Sequence, residues 1–305
     1  KKLRHLTIGW FRENKQEISC SMNQLYEAVG ISKQAVHKYM RLQSTHDRRI
    51  TDLVVRADEL RAAHPGCGVE KMYYTLKPDF LGRDRFIEEF MSLGYRLKRK
   101  KNYRRTTIAS LVYRPNLIKG KNVNAPSVIW QSDITYIPVG DRHYYAVFII
   151  DVYSKEIVGY AVSDHMRASA NIKALKMALG KRERPDYHHS DRGSQYISKA
   201  YIKLLEGCGT KVSMGLSAQE NAYAERINRT IKEEYLDHWW IRSFSQLQAS
   251  VARAVRHYNS YRPHVNLKMK SPDEFIQQWK NMIPEQRPKF TIFDNEYSLK
   301  PVNLF

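Results

Sequence analysis

Cysteine is scarce in this chain. There are three in 305 residues, Cys20, Cys67 and Cys208, far apart and without Cys-x-x-Cys or Cys/His pairing. That spacing argues against a disulfide framework or a zinc module and suits a reducing compartment. Acid is in short supply too, with 31 Asp and Glu against 51 Lys and Arg, a formal net charge of +20. Long apolar runs are absent, so nothing approaches the roughly 18 residues of a membrane helix. The opening KKLRHLTIGW is basic but lacks the apolar core of a secretory signal. These absences predict a cytoplasmic protein whose partner is a polyanion, because each neutralised phosphate releases condensed counterions. A ribosomal-type or membrane-surface protein would also be basic, so charge alone does not choose.

What is present divides the chain. The hydrophobic fraction of 42% supports real cores, and the length predicts two or three domains. Residues 1–47 read as helical. MNQLYEAVG predicts a short helix with Leu25, Ala28 and Val29 inward, Gly30 turns the chain, and Ser32 caps the helix KQAVHKYMRL. Helix, glycine turn and capped helix make a helix-turn-helix pattern. It leaves Lys33, Gln34, His37, Lys38 and Arg41 for DNA, although a small helical packing domain has the same pattern.

Residues 48–108 predict a second such domain. Arg48 to Ala62 reads as a polar helix, broken at His64-Pro65-Gly66. GVEKMYYTLK and RDRFIEEFMSLG follow as a helix pair, with Arg83 and Arg85 at the start of the second. A basic arm comes next, RLKRKKNYRRTT. Its Lys98, Arg99, Lys100, Lys101, Arg104 and Arg105 suit phosphates, though a charge run also makes a solvated face. Residues 109–126, with Pro115 and Pro126, read as a linker.

From 127 to 283 the pattern changes to α/β. VIWQSDITYIPV, HYYAVFIIDVYS and EIVGYAVS read as three strands joined by short connections, hence antiparallel neighbours. Then come a helix (168–179), a strand ending at His189, the helix SKAYIKLLEGCG, the strand TKVSM and helices over 221–237 and 245–259. That order is a ribonuclease H-like core, a mixed five-stranded sheet with flanking helices, preceded by all-α helix-turn-helix domains. The tail, 284–305, predicts a small strand pair, a dimer arm or a packed extension.

Three acids stand where elements converge: Asp133 in the first strand, Asp191 just past the fourth, and Glu225 in the first turns of a helix. Phosphodiester chemistry with two Mg²⁺ ions about 3.5–4 Å apart needs hard oxygen ligands of this kind. Each acid alone has a plainer reading, as an edge-strand polar residue, a turn cap or a helix N-terminal acid. Asp151, Asp141, Asp164, Glu206 and Glu220 compete; Asp151, ending the second strand, is the most serious. Arg229 and Lys232 share a face with Glu225 and would track a DNA backbone. His189 suits either an accessory role at the reacting atoms or a buried position at a strand end.

At these residues a resemblance emerges. WQSDITYIP, HHSDRGSQYIS, NAYAERINRTIKEEY and HYNSYRPH…SPDEF resemble the integrase-core transposases of IS3-type bacterial insertion sequences, over roughly Trp130 to Phe275. HPGCGVEKMYYTL…FMSLGYRLKRK is similar to the helix-turn-helix region that precedes the core in that family. The resemblance implies that Asp133, Asp191 and Glu225 are the DDE metal ligands and catalytic residues, holding two Mg²⁺ with Mn²⁺ as a substitute. Lys232 matches the family's basic residue on that helix. Tyr258, Asn259, Tyr261, Arg262, Pro263 and His264 match its closing motif. One departure is a shorter connection: 33 residues lie between Asp191 and Glu225, two fewer than is usual there.

The reaction implied is strand cleavage followed by attack of the freed 3′-hydroxyl on a second phosphodiester. The implied partners are terminal inverted repeats and target DNA, with a homodimer or higher oligomer pairing two ends, in the bacterial cytoplasm and on the nucleoid when DNA-bound. A regulator derived from a transposase, or a metal nuclease that only hydrolyses, are the competing readings.

Overall fold

A computed structural model describes residues 7–11, 14, 20–97, 114–216 and 218–292. The chain packs as two units, one ending at Glu59 and the other beginning at Leu60. Among the described residues, no helix is long and apolar enough to cross a membrane.

In the first unit, α1 covers residues 7–11 and α2 spans Met22–Val29. Ser21 and Gln24 form a reciprocal capping box at the start of α2, and Gly30 ends it in the left-handed conformation (φ 66°). The inward stripe differs from the sequence expectation. Leu25 and Tyr26 are buried and Met22 and Val29 partly so, while Ala28 is exposed. Positions 22, 25, 26 and 29 follow the helical repeat, and Ala28 lies off it. Ser32 caps the next helix through the Ala35 N–H, as expected.

That helix, α3, runs without interruption from Lys33 to Ala63. Two separate helices were expected, with a domain boundary at 47/48. Neither Gly nor Pro occurs between Lys33 and Ala63, so nothing in the backbone stops the helix before Pro65.

The second unit opens with the helix pair α4 (Val69–Leu76) and α5 (Arg83–Ser92). Phe86 and Phe90 stack at 4.1 Å, Tyr73 meets Phe86 edge-on, and Arg61 donates to the Tyr95 carbonyl at 2.6 Å.

The sheet follows: β2 (Ile129–Val139), β3 (Arg142–Asp151), β4 (Ile157–Ser163), β5 (Tyr187–Ser190) and β6 (Lys211–Met214), in the order β4-β3-β2-β5-β6. The first three strands pair antiparallel; β5 pairs parallel to both β2 and β6. Helices α6 (Ala168–Lys181) and α7 (Lys199–Gly207) cover one face, and α8 (Ala222–Glu234) and α9 (Phe244–Ser260) the other. This is the ribonuclease H-like architecture expected.

The apolar run of β3 has a direct cause. Ala146, Phe148 and Ile150 pack toward α8 and α9, while Val147 and Ile149 pack toward α6. A strand covered on both faces needs apolar residues at every position. Gly159 on β4 admits α6 so closely that a Cβ there would overlap the Ala174 carbonyl.

The expected linker is not a free connector in its described part. Ile118 and Val123 are fully buried, and β1 (Asn122–Val123) pairs antiparallel with β7 (Phe290–Thr291). Together with Ile129, Val152, Leu267, Phe275 of α10 (Pro272–Lys280) and Ile292, they form a third core cluster. Composition signalled the prolines of this segment; its two deeply buried residues are too few to make a period. The described part of the tail is thus one half of a strand pair.

Candidate active site

Register brings the first two acids together. β2 and β5 run parallel with Ser132 opposite Ser190, so the next residues, Asp133 and Asp191, emerge side by side at the end of β5. Adjacent strands lie about 4.8 Å apart. Asp133 orients its carboxylate through the Ile134 N–H (2.9 Å), and Asp191 through the Gly193 N–H (3.0 Å).

The third acid arrives on α8, which crosses the β2 face. Three polar contacts set its N-terminal end. Asn221 donates to the Ser132 carbonyl at 3.0 Å, the Tyr223 N–H donates to Gln131 at 3.2 Å, and the Asn228 amide donates to Asp133 Oδ2 at 2.8 Å. Glu225 lies one turn before Asn228 and is exposed, with Arg229 one turn beyond it. The shortened connection before α8 is a compact 3₁₀ turn, Ala218–Asn221. The Glu220 carboxylate closes it by accepting the Leu216 N–H.

Electrostatics reports the convergence. Burial pushes the Asp133 carboxyl up to about 8. Asp191 and, less strongly, Glu225 push it the same way, against the Ile134 N–H and the Asn228 amide. Burial raises Asp191, opposed by the Gly193 N–H. Glu225 is raised by burial and by Asp191 and lowered by Arg229. Three carboxylates that oppose one another's ionisation are suited to a cation. They meet at electrostatic range: among the described residues, no three His, Cys, Asp or Glu side chains stand close enough to grip an ion as oriented.

The most serious of the competing acids has another role. Asp151 is buried and accepts from the Ser127 N–H (2.6 Å), the Ser154 N–H (2.7 Å) and the Ser154 hydroxyl (2.8 Å), shaping the β3–β4 connection. His189 is enclosed in the sheet, with Nδ1 2.8 Å from the Ser213 hydroxyl, and burial pushes it down to about 4. As placed, its ring supports the strands from inside.

The expected DNA contacts are distributed. Lys33, Gln34, His37, Lys38 and Arg41 are all exposed on the first turns of α3. Arg83 pairs with Asp84 at 2.8 Å, and Arg85 with Glu89 at 3.2 Å; both guanidinium groups stay accessible. Arg229 is exposed and Lys232 half-buried on α8. Lys98, Arg99, Lys100, Lys101, Arg104 and Arg105 lie outside the described residues.

Sequence reasoning missed Asn228. Its position three residues after Glu225, on the face turned to the sheet, was the available signal. The closing motif also gains a structural account. The Asn259 side chain accepts from the Ile157 N–H (2.9 Å) and donates to the Ile157 carbonyl (3.0 Å). It does so on β4, the edge strand of the sheet, beside the shift in the β3–β4 register.

Comparison with known proteins agrees with this topology. Two family models, each described as an integrase core domain, match residues 123–218 and 206–272. The uncharacterized 31 kDa protein of insertion element IS600 from Shigella sonnei is 30% identical over 270 residues, covering 84% of this chain and 98% of that protein. The transposase of insertion element IS904 from Lactococcus lactis is 32% identical over 53% of this chain and 66% of its own length. Transposase InsF of IS3fB from Escherichia coli is 31% identical over 51% of this chain and 56% of its own length.

Proposed function

Because this chain belongs to the insertion-sequence transposases that carry an integrase core domain, we propose that it cuts and rejoins DNA with Asp133, Asp191 and Glu225 as its catalytic, metal-holding carboxylates. The observation that carries this reading is the convergence of the three acids from β2, the end of β5 and α8, with Asp133 pushed up to about 8 partly by the other two. The donors suit a hard divalent cation such as Mg²⁺, with Mn²⁺ as a substitute. When bound, such ions supply the charge that activates an attacking oxygen and stabilises a leaving one.

The chain's own residues do the rest. Asn228 and the Ile134 and Gly193 N–H groups aim the carboxylates. Arg229, one turn after Glu225, and Lys232 beyond it draw a DNA backbone along α8 toward the acids. The exposed basic residues at the start of α3 and α5 hold flanking duplex, and the overall charge of +20 supplies affinity without sequence preference. The substrates on this reading are the element's terminal inverted repeats and target DNA. The reaction is hydrolytic nicking that frees a 3′-hydroxyl, which then attacks a second phosphodiester, forming the new bond as the attacked strand leaves with its own 3′-hydroxyl; pairing two ends calls for a dimer or larger assembly.

The test is a joining assay on labelled DNA bearing candidate element ends, with Mg²⁺ or Mn²⁺, comparing the wild type with Glu225→Gln. Metal-dependent joined products that vanish in the variant support the reading. Cleavage without joining would make the protein a nuclease. Sequence-specific binding without chemistry, where a control transposase works, would make it a regulator.

A further inference from the structure

The most heavily bonded carboxylate in the described structure is Glu234, the last residue of α8, and it lies outside the triad. Its Oε1 accepts from Arg262 Nη2 and from Lys71 Nζ, each at 2.7 Å. Its Oε2 accepts from Arg262 Nε at 2.7 Å and lies 2.7 Å from His64 Nε2. The Glu234 carbonyl accepts the Gly66 N–H at 2.8 Å. A Cβ on Gly66 would overlap the Glu234 Cα, so the HPGCG segment approaches α8 as closely as a backbone can. The His64 ring stacks on Tyr235 at 4.6 Å, with 5° between planes.

Three chain segments therefore close on one helix end. His64 and Gly66 lie just before α4, Lys71 lies on α4, and Arg262 belongs to the closing motif after α9. The same helix carries Glu225 nine residues earlier, about 13.5 Å along its axis. It touches Asp133 through Asn228, one turn after Glu225. α4 in turn packs on α5, whose first turn holds Arg83 and Arg85. A continuous line of packed elements runs from the first turn of α5 to the acid.

A purely stabilising cluster would not need these partners. Buried ion pairs commonly contribute little net stability against apolar packing of the same volume, whereas breaking one is costly. What a bidentate arginine and two further donors do provide is a single geometry.

We propose that Glu234 is a positioning residue that fixes the α4–α5 pair on the catalytic helix, so that DNA gripped at α5 presents one particular phosphodiester to Glu225. This rests on the functional reading above. The clamp acts as a ruler between grip and chemistry. Its loss lets the reacting bond vary, and a displacement of about 1 Å costs on the order of 100-fold at the correct bond.

The test maps product 3′ ends at nucleotide resolution, using the full chain and duplexes cut from the DNA bordering the gene, in Mn²⁺. Lys71→Met removes only the strut from α4 and leaves Glu234 its arginine and histidine. Glu234→Gln keeps the shape and drops the charge. The wild type is expected to cut at one bond. Each folded variant is expected to spread its cuts over neighbouring bonds, with yield at the wild-type bond falling by up to about 100-fold. Folded variants that cut only at the wild-type bond, at any rate, would overturn the ruler while leaving the functional reading intact. Loss of fold in both variants overturns it as well, since the cluster is then a structural support. A wild type that cuts nowhere, where a control transposase does, removes the functional reading and the ruler with it.

Discussion

Asn228 donates to Asp133 Oδ2 at 2.8 Å from the helix turn that follows Glu225. One amide thus joins the acid on the central strand to the helix carrying the acid on the rim. It also opposes the burial and the neighbouring carboxylates that push Asp133 up to about 8.

Asn228→Ala removes that donor and leaves Asp133 harder to ionise. Cleavage is expected to fall by about 10- to 100-fold, the usual scale for partners that orient ligating carboxylates. Circular dichroism and the urea midpoint should change little. Asn228→Asp places a fourth carboxylate against the cluster and should be worse. Unchanged cleavage in both variants would show that the amide is incidental.

Asn259 stands in for a missing strand rung at Ile157. Replacing it by Ala leaves a buried N–H and carbonyl without their partner, a cost of about 1–3 kcal/mol. Asn259→Asp retains an acceptor but loses the donor, and it buries a charge, so it should unfold at lower urea still. Equal midpoints for wild type and Asn259→Ala would mean that the edge of β4 needs no such partner.

Gly66 and Gly68 separate close approach from chain flexibility. A Cβ at Gly66 overlaps Glu234, whereas one at Gly68 meets nothing within 4 Å and its φ of −70° suits any residue. Gly66→Ala is expected to cost about 1–3 kcal/mol or more by overpacking. Gly68→Ala should be near neutral in the same thermal melt. Matching losses would point to backbone freedom as the reason for both glycines.

Acid stability should carry the mark of His188. Burial pushes this ring down to about 3, and it sits 3.0 Å from the Tyr201 hydroxyl. A histidine ordinarily near 6.5 binds a proton in the unfolded chain before it does in the folded one. Its contribution is therefore fully present above about pH 6.5 and is lost as pH falls toward 3, at most about 1.4 kcal/mol per pH unit. His188→Gln should lose less stability than the wild type between pH 6.5 and 4 in urea titrations. Parallel curves would assign the acid sensitivity elsewhere.

Much of the integrase-core fold was legible in the sequence because the signals were local. Strands covered on both faces read as apolar runs, and the glycine and serine caps marked helix ends where α2, α5 and α7 stop or start. The three acids stood out by their elements. The uninterrupted α3 was less legible, because the polar stretch between the two expected helices carries no apolar period, although nothing in it breaks a helix. The segment over 114–126 read as a connector because two buried residues, Ile118 and Val123, cannot declare a period.

The sequence by itself determined the element order and the apolar run that buries β3 on both faces, and it singled out the three carboxylates as candidates, since each depends on residue type and short-range spacing. Only the tertiary structure decided which groups meet. Asp133 stands beside Asp191 because of a parallel register between strands 58 residues apart at Ser132 and Ser190. Asn228 turns to Asp133, and Glu234 gathers His64, Lys71 and Arg262, because helices from distant parts of the chain pack on one sheet. Hydrogen bonds and charge interactions act over a few ångströms of space, whatever the distance along the chain. Burial, which sets how strongly they act, is a property of the packed core.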